Sequence, residues 1–128
     1  MKKSLITTAI LAMLGLASSA QQLVPAKDAV KYKGQKVTIS DKVFSTAKKN
    51  ETIILYLGGD SPKQLLTVVI KSSDRSKFKG NPEADFTGKS IYVTGVVVDD
   101  KGSAEIFVSS PKQLKLVMID SPVVKQKF

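Results

Sequence analysis

Residues 52–71 read TIILYLGGDSPKQLLTVVIK, and this stretch decides the fold. Thr52 to Leu57 and Leu65 to Lys71 are short runs of apolar and β-branched residues, which are enriched in strands. Between them, Gly58 to Pro62 contains glycine, aspartate, serine and proline, the residue types that end strands and form turns. The stretch therefore predicts two strands joined by a turn-rich loop.

The first of these runs also predicts which side chains enter the core. Successive side chains of a strand point to opposite faces. Ile53, Leu55 and Leu57 therefore share one face, whereas Ile54 and Tyr56 share the other. We expect the first set to fill the core and Tyr56 to face outward.

Further segments on both sides of this stretch also have strand character. In the first of them Asp41 interrupts the apolar series, and we predict a β-bulge there because Asp tolerates unusual backbone angles. Asp99 to Gly102 predicts a hairpin turn in which Gly102 takes a positive φ. The predicted strands are Gln35–Thr46, Lys89–Asp99 and Ser103–Ser109, with a short extension at Leu114–Ile119.

Three helical segments complete the pattern. Val24 to Gly34 predicts a short N-terminal helix that starts with Pro25 at its first position and ends at Gly34. Ser73 to Gly80 and Asn81 to Phe86 predict helical turns capped by Ser73 and Asn81, between the third and fourth strands. The order helix, three strands, short helix, two strands predicts an all-β fold, a five-stranded Greek-key β-barrel with short helices. The alternative is an open α+β sheet.

The N-terminus has the order of features found in an export signal. Met1 to Lys3 is cationic, Leu5 to Ala17 is apolar, and Ser18 to Ala20 supplies small residues for cleavage. Residues 1–20 are therefore predicted to be a signal peptide cleaved after Ala20, and the exported chain to reach the periplasm or the medium. The alternative is a buried N-terminal helix of the fold.

The chain from Gln21 to Phe128 has the length of a single domain. We expect no integral membrane segment in it, because no later stretch is as long and apolar as a spanning helix requires. The tail from Asp120 to Phe128 is basic, and we expect it to be loose.

Charge suggests an anionic partner. The chain has 20 Lys+Arg against 11 Asp+Glu. Without Lys2 and Lys3 the balance is 18 against 11, which is near +7. Such an excess favours nucleic acid or another polyanion. The alternative is that the lysines serve solubility alone.

The residue inventory predicts a protein that is not an enzyme and needs neither cofactor nor metal. The sequence contains no histidine and no cysteine, which removes the commonest general base, metal ligand and thiolate nucleophile. Asp99 and Asp100 are adjacent carboxylates, but hairpin turns favour Asp for hydrogen bonds to their own backbone.

Several segments together resemble a known family. The resemblance is to small exported bacterial OB-fold proteins that are loosely labelled nucleic-acid-binding, and it covers Pro25 to Leu116. Departures occur at Asp41, where the family pattern has glycine, and at Lys71-Ser72, where it has an aromatic residue. The segments that carry the resemblance are Val37–Ile39, Leu57–Gly59, Thr67–Ile70, Ser73–Phe78, Gly88–Val97 and Val108–Leu114.

The resemblance implies a ligand bound across the second and third strands, between the first and last hairpin loops. We expect a nucleotide base to stack on Tyr56 while lysines contact the backbone. In the alternative, Tyr56 closes the barrel, and Phe107 and Tyr92 pack beneath the helices. The candidate nucleic-acid-binding residues are Lys48, Lys49, Tyr56, Lys63, Lys71 and Lys101.

Two functions of different classes follow from this reasoning. The first is sequence-nonspecific binding of single-stranded DNA or RNA, because lysine lacks the bidentate fork that reads bases. The second is an interaction module for an envelope protein, a glycan or a small ligand, in which the lysines are ordinary surface. A third hypothesis, a secreted nuclease, requires several arginines beside metal-binding carboxylates, and Arg75 is the only arginine.

Overall fold

The structure, a computed structural model, describes residues 23–117. The predicted signal peptide and the tail from Asp120 lie outside the described residues, so both stay predictions. Across residues 23–117, no helix is both long enough and apolar enough to cross a membrane.

Eight strands dominate the described chain. Hydrogen-bonded neighbours follow the order β6-β7-β4-β3-β2-β5-β8, and β1 pairs with β2 beside this path. The β1–β2 and β4–β7 pairs are parallel, and the others are antiparallel. The strands are β1 (Leu23–Val24), β2 (Lys36–Lys49), β3 (Thr52–Leu57), β4 (Leu66–Ile70), β5 (Ser90–Val96), β6 (Val98–Asp100), β7 (Ser103–Phe107) and β8 (Leu114–Leu116).

The five predicted strands are all present, but the count of five was wrong. The predicted fourth strand is broken at Val97, which separates β5 from β6. The short strands β1 and β8 add to the sheet on the two sides of the β2–β5 pair. The hydrogen-bonded path is open between β6 and β8 rather than closed into the predicted barrel. The chain itself links β5 with β6 through Val97, whose amide donates to the Gln35 carbonyl.

β2 is the longest strand because it pairs with β5 along its first half and with β3 along its second half, while β1 adds beside Thr38 and Ile39. Lys36 to Lys42 pairs with β5, and Val43 to Lys49 pairs with β3. The register shifts between Val43 and Ser45, where the strand changes partner. The bulge predicted at Asp41 was therefore wrong. Asp41 stays in register with β5, and its carboxylate accepts a hydrogen bond from the Ala26 amide at 2.9 Å.

The core lies between the inward faces of these strands. The predicted set Ile53, Leu55 and Leu57 is fully buried, as the alternation required. Parallel pairing places inward residues of β4 and β7 side by side, for example Val68 beside Ile106. The largest fully buried side chains are Ile39, Val43, Ile53, Leu55, Leu57, Leu66, Val68, Ile70, Ile91, Val93, Val97 and Ile106.

The helical segments are shorter than predicted. The N-terminal one is a 3₁₀ helix over Ala26–Tyr32, with Pro25 at its N-cap rather than inside it. α-Helical turns span Ser72–Arg75 and Pro82–Asp85, and Pro82 occupies the first position as predicted. The first turn is capped by Lys71 instead of Ser73, and neither cap residue uses its side chain. A second 3₁₀ helix, Pro111–Gln113, precedes β8.

Both short hairpins contain two-residue turns with positive φ at each position. Asn50 and Glu51 have φ of 49° and 72° between β2 and β3. Lys101 and Gly102 have φ of 54° and 93° between β6 and β7, which confirms the prediction for Gly102. Two consecutive positive φ angles are the signature of a type I′ turn, whose twist matches that of the flanking strands.

Candidate nucleic-acid interface

The outward residues of β3, β4 and β7 form a surface that we call the β3–β4–β7 face. On β3 these residues are Ile54 and Tyr56, since the residues between them are buried. On β7 they are Glu105 and Phe107, because Ala104 and Ile106 enter the core. The predicted outward direction of Tyr56 is confirmed, and its side chain is half-buried.

Cross-strand pairing arranges this face in two rows. One row runs from Ser45 through Tyr56 and Thr67 to Glu105. Its centre is fixed by the Gln64 side chain, whose Nε2 donates to the Thr67 hydroxyl at 2.9 Å. The second row, two residues along each strand, consists of Ala47, Ile54, Val69 and Phe107.

Phe107 is the functional candidate that the sequence reasoning missed. Its ring is 41% exposed at the end of the second row, so the alternative that packed it beneath the helices was wrong. The Lys71 Nζ lies 4.8 Å from the ring centroid, in cation–π range. The sequence of β7 could have predicted this position. Ala104, Ile106 and Val108 are apolar and share the buried face, so Phe107 must lie on the opposite, outward face.

The predicted lysines do not form one cluster. Lys49 at the β2–β3 hairpin and Lys71 after β4 lie at the same end of the sheet, since Ile53 pairs with Ile70. Lys63 in the β3–β4 loop and Lys101 in the β6–β7 turn lie at the other end. The structure thus places Lys71 beside Phe107, puts Lys49 at the same end of the sheet two strands from the β4 end, and leaves Tyr56 between the two ends.

Lys48 lies on the face of the sheet opposite to Lys49 and to the β3–β4–β7 face. It pairs with Ile53, which is fully buried, and directly paired residues point to the same side of a sheet. Its Nζ lies 3.8 Å from the Glu51 carboxylate across the hairpin turn. Sequence could not separate Lys48 from Lys49, because their faces depend on the register shift in β2.

Acidic groups limit the positive potential at one end of the face. Burial raises the pKa of the Glu105 carboxyl, and the charge of Asp100 raises it further. Asp99 is held by Lys33 at 2.5 Å, and this hydrogen bond lowers the pKa of the Asp99 carboxyl. Lys101 follows Asp99 and Asp100 directly in sequence, so carboxylates lie close to it.

The described residues contain no metal-binding cluster and give Arg75 a structural position. No group of three or more His, Cys, Asp or Glu residues that would hold a metal occurs between residues 23 and 117. The Arg75 guanidinium donates to the carbonyl oxygens of Phe78 at 3.2 Å and Gly80 at 2.9 Å. These bonds hold together the segment between the two helical turns.

Comparison with known proteins supports the OB-like arrangement. Asparaginyl-tRNA synthetase from Pyrococcus horikoshii is similar in structure, with a TM-score of 0.52 and 20% identity over 77% of this chain. The S. pombe Stn1-Ten1 complex gives a TM-score of 0.51 and 14% identity over 66% of this chain. This chain spans 23% of the synthetase chain and 59% of the other chain. No protein-family model and no curated protein sequence matches it.

Proposed function

We propose that this protein is an exported module that binds single-stranded nucleic acid without sequence preference. The observation that carries the proposal is the β3–β4–β7 face, where exposed Phe107 lies beside the Lys71 ammonium on the same face as Tyr56. Proteins that bind single strands combine cations, which contact the phosphate backbone, with aromatic rings, on which bases stack. Stacking is tolerant of sequence because every base has a stacking face.

The two rings are far enough apart to stack on two bases of one strand that are not adjacent to each other. Tyr56 and Phe107 are two strands apart and offset by two residues, which separates them by about 12 Å. Lys71 and Lys49 would contact phosphates at one end of the strand, and Lys63 would do so at the other. With lysine in place of arginine, the contacts would be blind to sequence.

The fold likeness is consistent with this proposal. One similar structure is by name a tRNA synthetase, an enzyme that handles a nucleic acid. We take β2, β3, β4, the broken β5–β6 strand and β7 as the counterparts of the five strands of an OB fold. The β3–β4–β7 face then corresponds to the ligand-binding face of OB folds.

The test is a titration of fluorescent single-stranded DNA and RNA with the chain from Gln21 to Phe128. Anisotropy is followed at low and near-physiological salt, with and without divalent metal. We expect binding that weakens steeply with salt and an oligonucleotide that stays intact, because we propose no catalytic role. Absence of binding even at low salt would remove the proposal.

Neighbouring lysines supply a matched pair of variants. Lys49→Glu should weaken binding at least fivefold, because its side chain lies on the β3–β4–β7 face. Lys48→Glu makes the same charge change one residue away on the opposite face and should weaken binding much less. Equal effects would show attraction by the overall charge and no defined face.

A second function has its own support. The row Ala47, Ile54, Val69 and Phe107 is apolar and partly exposed, and Glu105 opposes anions on the same face. These features also suit a contact with an envelope protein, a glycan or a small ligand. In that case Lys49→Glu would leave the contact largely intact, whereas Phe107→Ala would weaken it.

A further inference from the structure

A pocket lies on a part of the sheet separate from the β3–β4–β7 face. It occupies about 240 Å³ on the outer face of β1, β2, β5 and β8, and we call it the Tyr92 pocket. Cross-strand pairing places Thr38 beside both Leu23 and Thr94, and Tyr92 beside Lys115. None of its lining residues belongs to the β3–β4–β7 face. The lining residues are Leu23, Thr38, Tyr92, Thr94, Lys112, Gln113 and Lys115.

The floor of the Tyr92 pocket is polar and fixed in place. The hydroxyls of Thr38 and Thr94 share a hydrogen bond at 2.9 Å. The Gln113 Nε2 donates to the Thr94 carbonyl at 2.9 Å, and the Gln113 Oε1 accepts from the Ser109 amide at 2.9 Å. These bonds fix the floor before any ligand arrives, which lowers the entropy cost of binding.

Two lysines give the pocket an uncompensated positive charge. Lys112 and Lys115 are both exposed at its rim. Within residues 23–117, neither forms an ion pair and the pocket lining includes no acidic side chain. Two ammonium groups without counter-ions favour a ligand with two negative charges.

The remaining wall is apolar and aromatic. The Tyr92 side chain is half-buried, so part of its ring is accessible, and Leu23 is 58% exposed. A flat ring can pack on Tyr92 with apolar contact to Leu23. The volume is below the range of drug-sized ligands, so the ligand must be small.

We propose that the Tyr92 pocket binds a small aromatic phosphate monoester. A phosphate monoester carries close to two negative charges at neutral pH, which matches Lys112 and Lys115. Its ring would lie on Tyr92, and its oxygens would reach the lysine ammonium groups in charge-assisted hydrogen bonds. This site is independent of the proposed nucleic-acid interface.

Phenyl phosphate is the probe, titrated into the chain from Gln21 to Phe128 and followed by the NMR shifts of backbone amides. We expect saturable shifts at Leu23, Thr94, Gln113 and Lys115. The neutral benzyl alcohol should bind at least tenfold more weakly. Shifts that do not saturate, or equal affinity for benzyl alcohol, would overturn the proposal.

Variants separate the pocket from general charge. Lys112→Gln combined with Lys115→Gln should raise the dissociation constant for phenyl phosphate at least tenfold. Lys79→Gln, an exposed lysine between the helical turns, should leave it unchanged. Phe107→Ala should also leave it unchanged, and a loss in either control would overturn the assignment to this pocket.

Discussion

At the scale of single residues, Gly95 determines how closely β5 approaches β7. A Cβ atom at Gly95 would lie 2.7 Å from the Ile106 Cγ2 and 3.4 Å from the Gln113 Nε2. Real Cβ atoms do not approach this closely, so a side chain at this position would push β7 away from β5. The φ of Gly95 is not in the left-handed region, so backbone conformation does not require a glycine there. The close packing against β7 does.

We therefore expect Gly95→Ala to lower the free energy of unfolding by about 1–3 kcal/mol, the usual cost of overpacking a core. Urea denaturation measures the change. Ile106→Ala removes the clashing methyl group, so the double variant should lose less stability than the sum of the two single losses. Two independent, additive losses would show that Gly95 and Ile106 do not interact.

Glu105 places a carboxylate on the β3–β4–β7 face, and its negative charge repels the phosphates of a bound nucleic acid. Glu105→Gln should tighten binding of single-stranded DNA roughly twofold at neutral pH, as expected for one charge about 10 Å away in water. In the unsubstituted chain, affinity should rise as pH falls through the raised pKa of Glu105. The variant should lose that rise, and anisotropy titrations over a pH series measure both effects.

The same carboxyl has a consequence for stability. Its folded-state pKa is raised by burial, so folding favours the protonated form. Stability from this group is present at low pH and is lost as pH rises through the folded pKa. Glu105→Gln should accordingly raise Tm at neutral pH and leave it unchanged in acid, as followed by thermal denaturation.

At the scale of elements, the β2–β3 hairpin carries backbone strain. Glu51 has a φ of 72° in the type I′ turn, a conformation that costs non-glycine residues about 1–2 kcal/mol. Glu51→Gly creates an Asn-Gly turn, the preferred type I′ pair. The lost contact with Lys48 is an exposed ion pair at 3.8 Å, and such pairs contribute little.

Relief of the backbone strain stabilises the folded state, whereas the added entropy of glycine stabilises the unfolded chain and offsets part of the gain. We therefore expect Glu51→Gly to raise the free energy of unfolding by about 0.5 kcal/mol. Chemical denaturation measures the difference. Glu51→Gln serves as the control, since it removes the charge and keeps the strained backbone. If Glu51→Gln stabilises as much as Glu51→Gly, charge and not backbone strain is responsible.

The N-terminal 3₁₀ helix is tied to the β6–β7 hairpin through Lys33 and Asp99. The lowered pKa of Asp99 comes chiefly from its hydrogen bond with Lys33. Stability from a lowered carboxyl pKa is present above the unfolded-state pKa and is lost as pH falls through the folded-state pKa. Asp99→Asn should therefore destabilise the protein at neutral pH and make no difference in strong acid, as measured by denaturation at both pH values.

At the scale of the whole molecule, the proposed interface sets how many lysines can contact the phosphates of a bound single strand. Three lysines border the β3–β4–β7 face: Lys49, Lys63 and Lys71. Three phosphate contacts to a single strand predict a slope of about −2 for log K against log salt. A slope near −5 would correspond to the net charge of residues 21–128 as a whole and would contradict a defined face.

Sequence alone determined the position of β3. The run from Thr52 to Leu57 is apolar and is followed by turn residues, so its strand bounds were correct, and the two-residue period of a strand defined the set that is buried. The Gly102 turn was correct for a similar reason, because a positive φ is a local requirement. Such features depend on neighbouring residues alone, and the sequence displays them directly.

Tertiary structure decided the features that involve distant strands. Phe107 gains its place beside Lys71 through parallel pairing of β4 with β7, which joins residues far apart in sequence. Neighbouring residues of a strand point to opposite faces, and the register shift in β2 decides that Lys49 rather than Lys48 points outward. The Tyr92 pocket likewise requires β1, β2, β5 and β8 together. Local sequence fixes which residues form strands, whereas register and pairing fix which side chains meet.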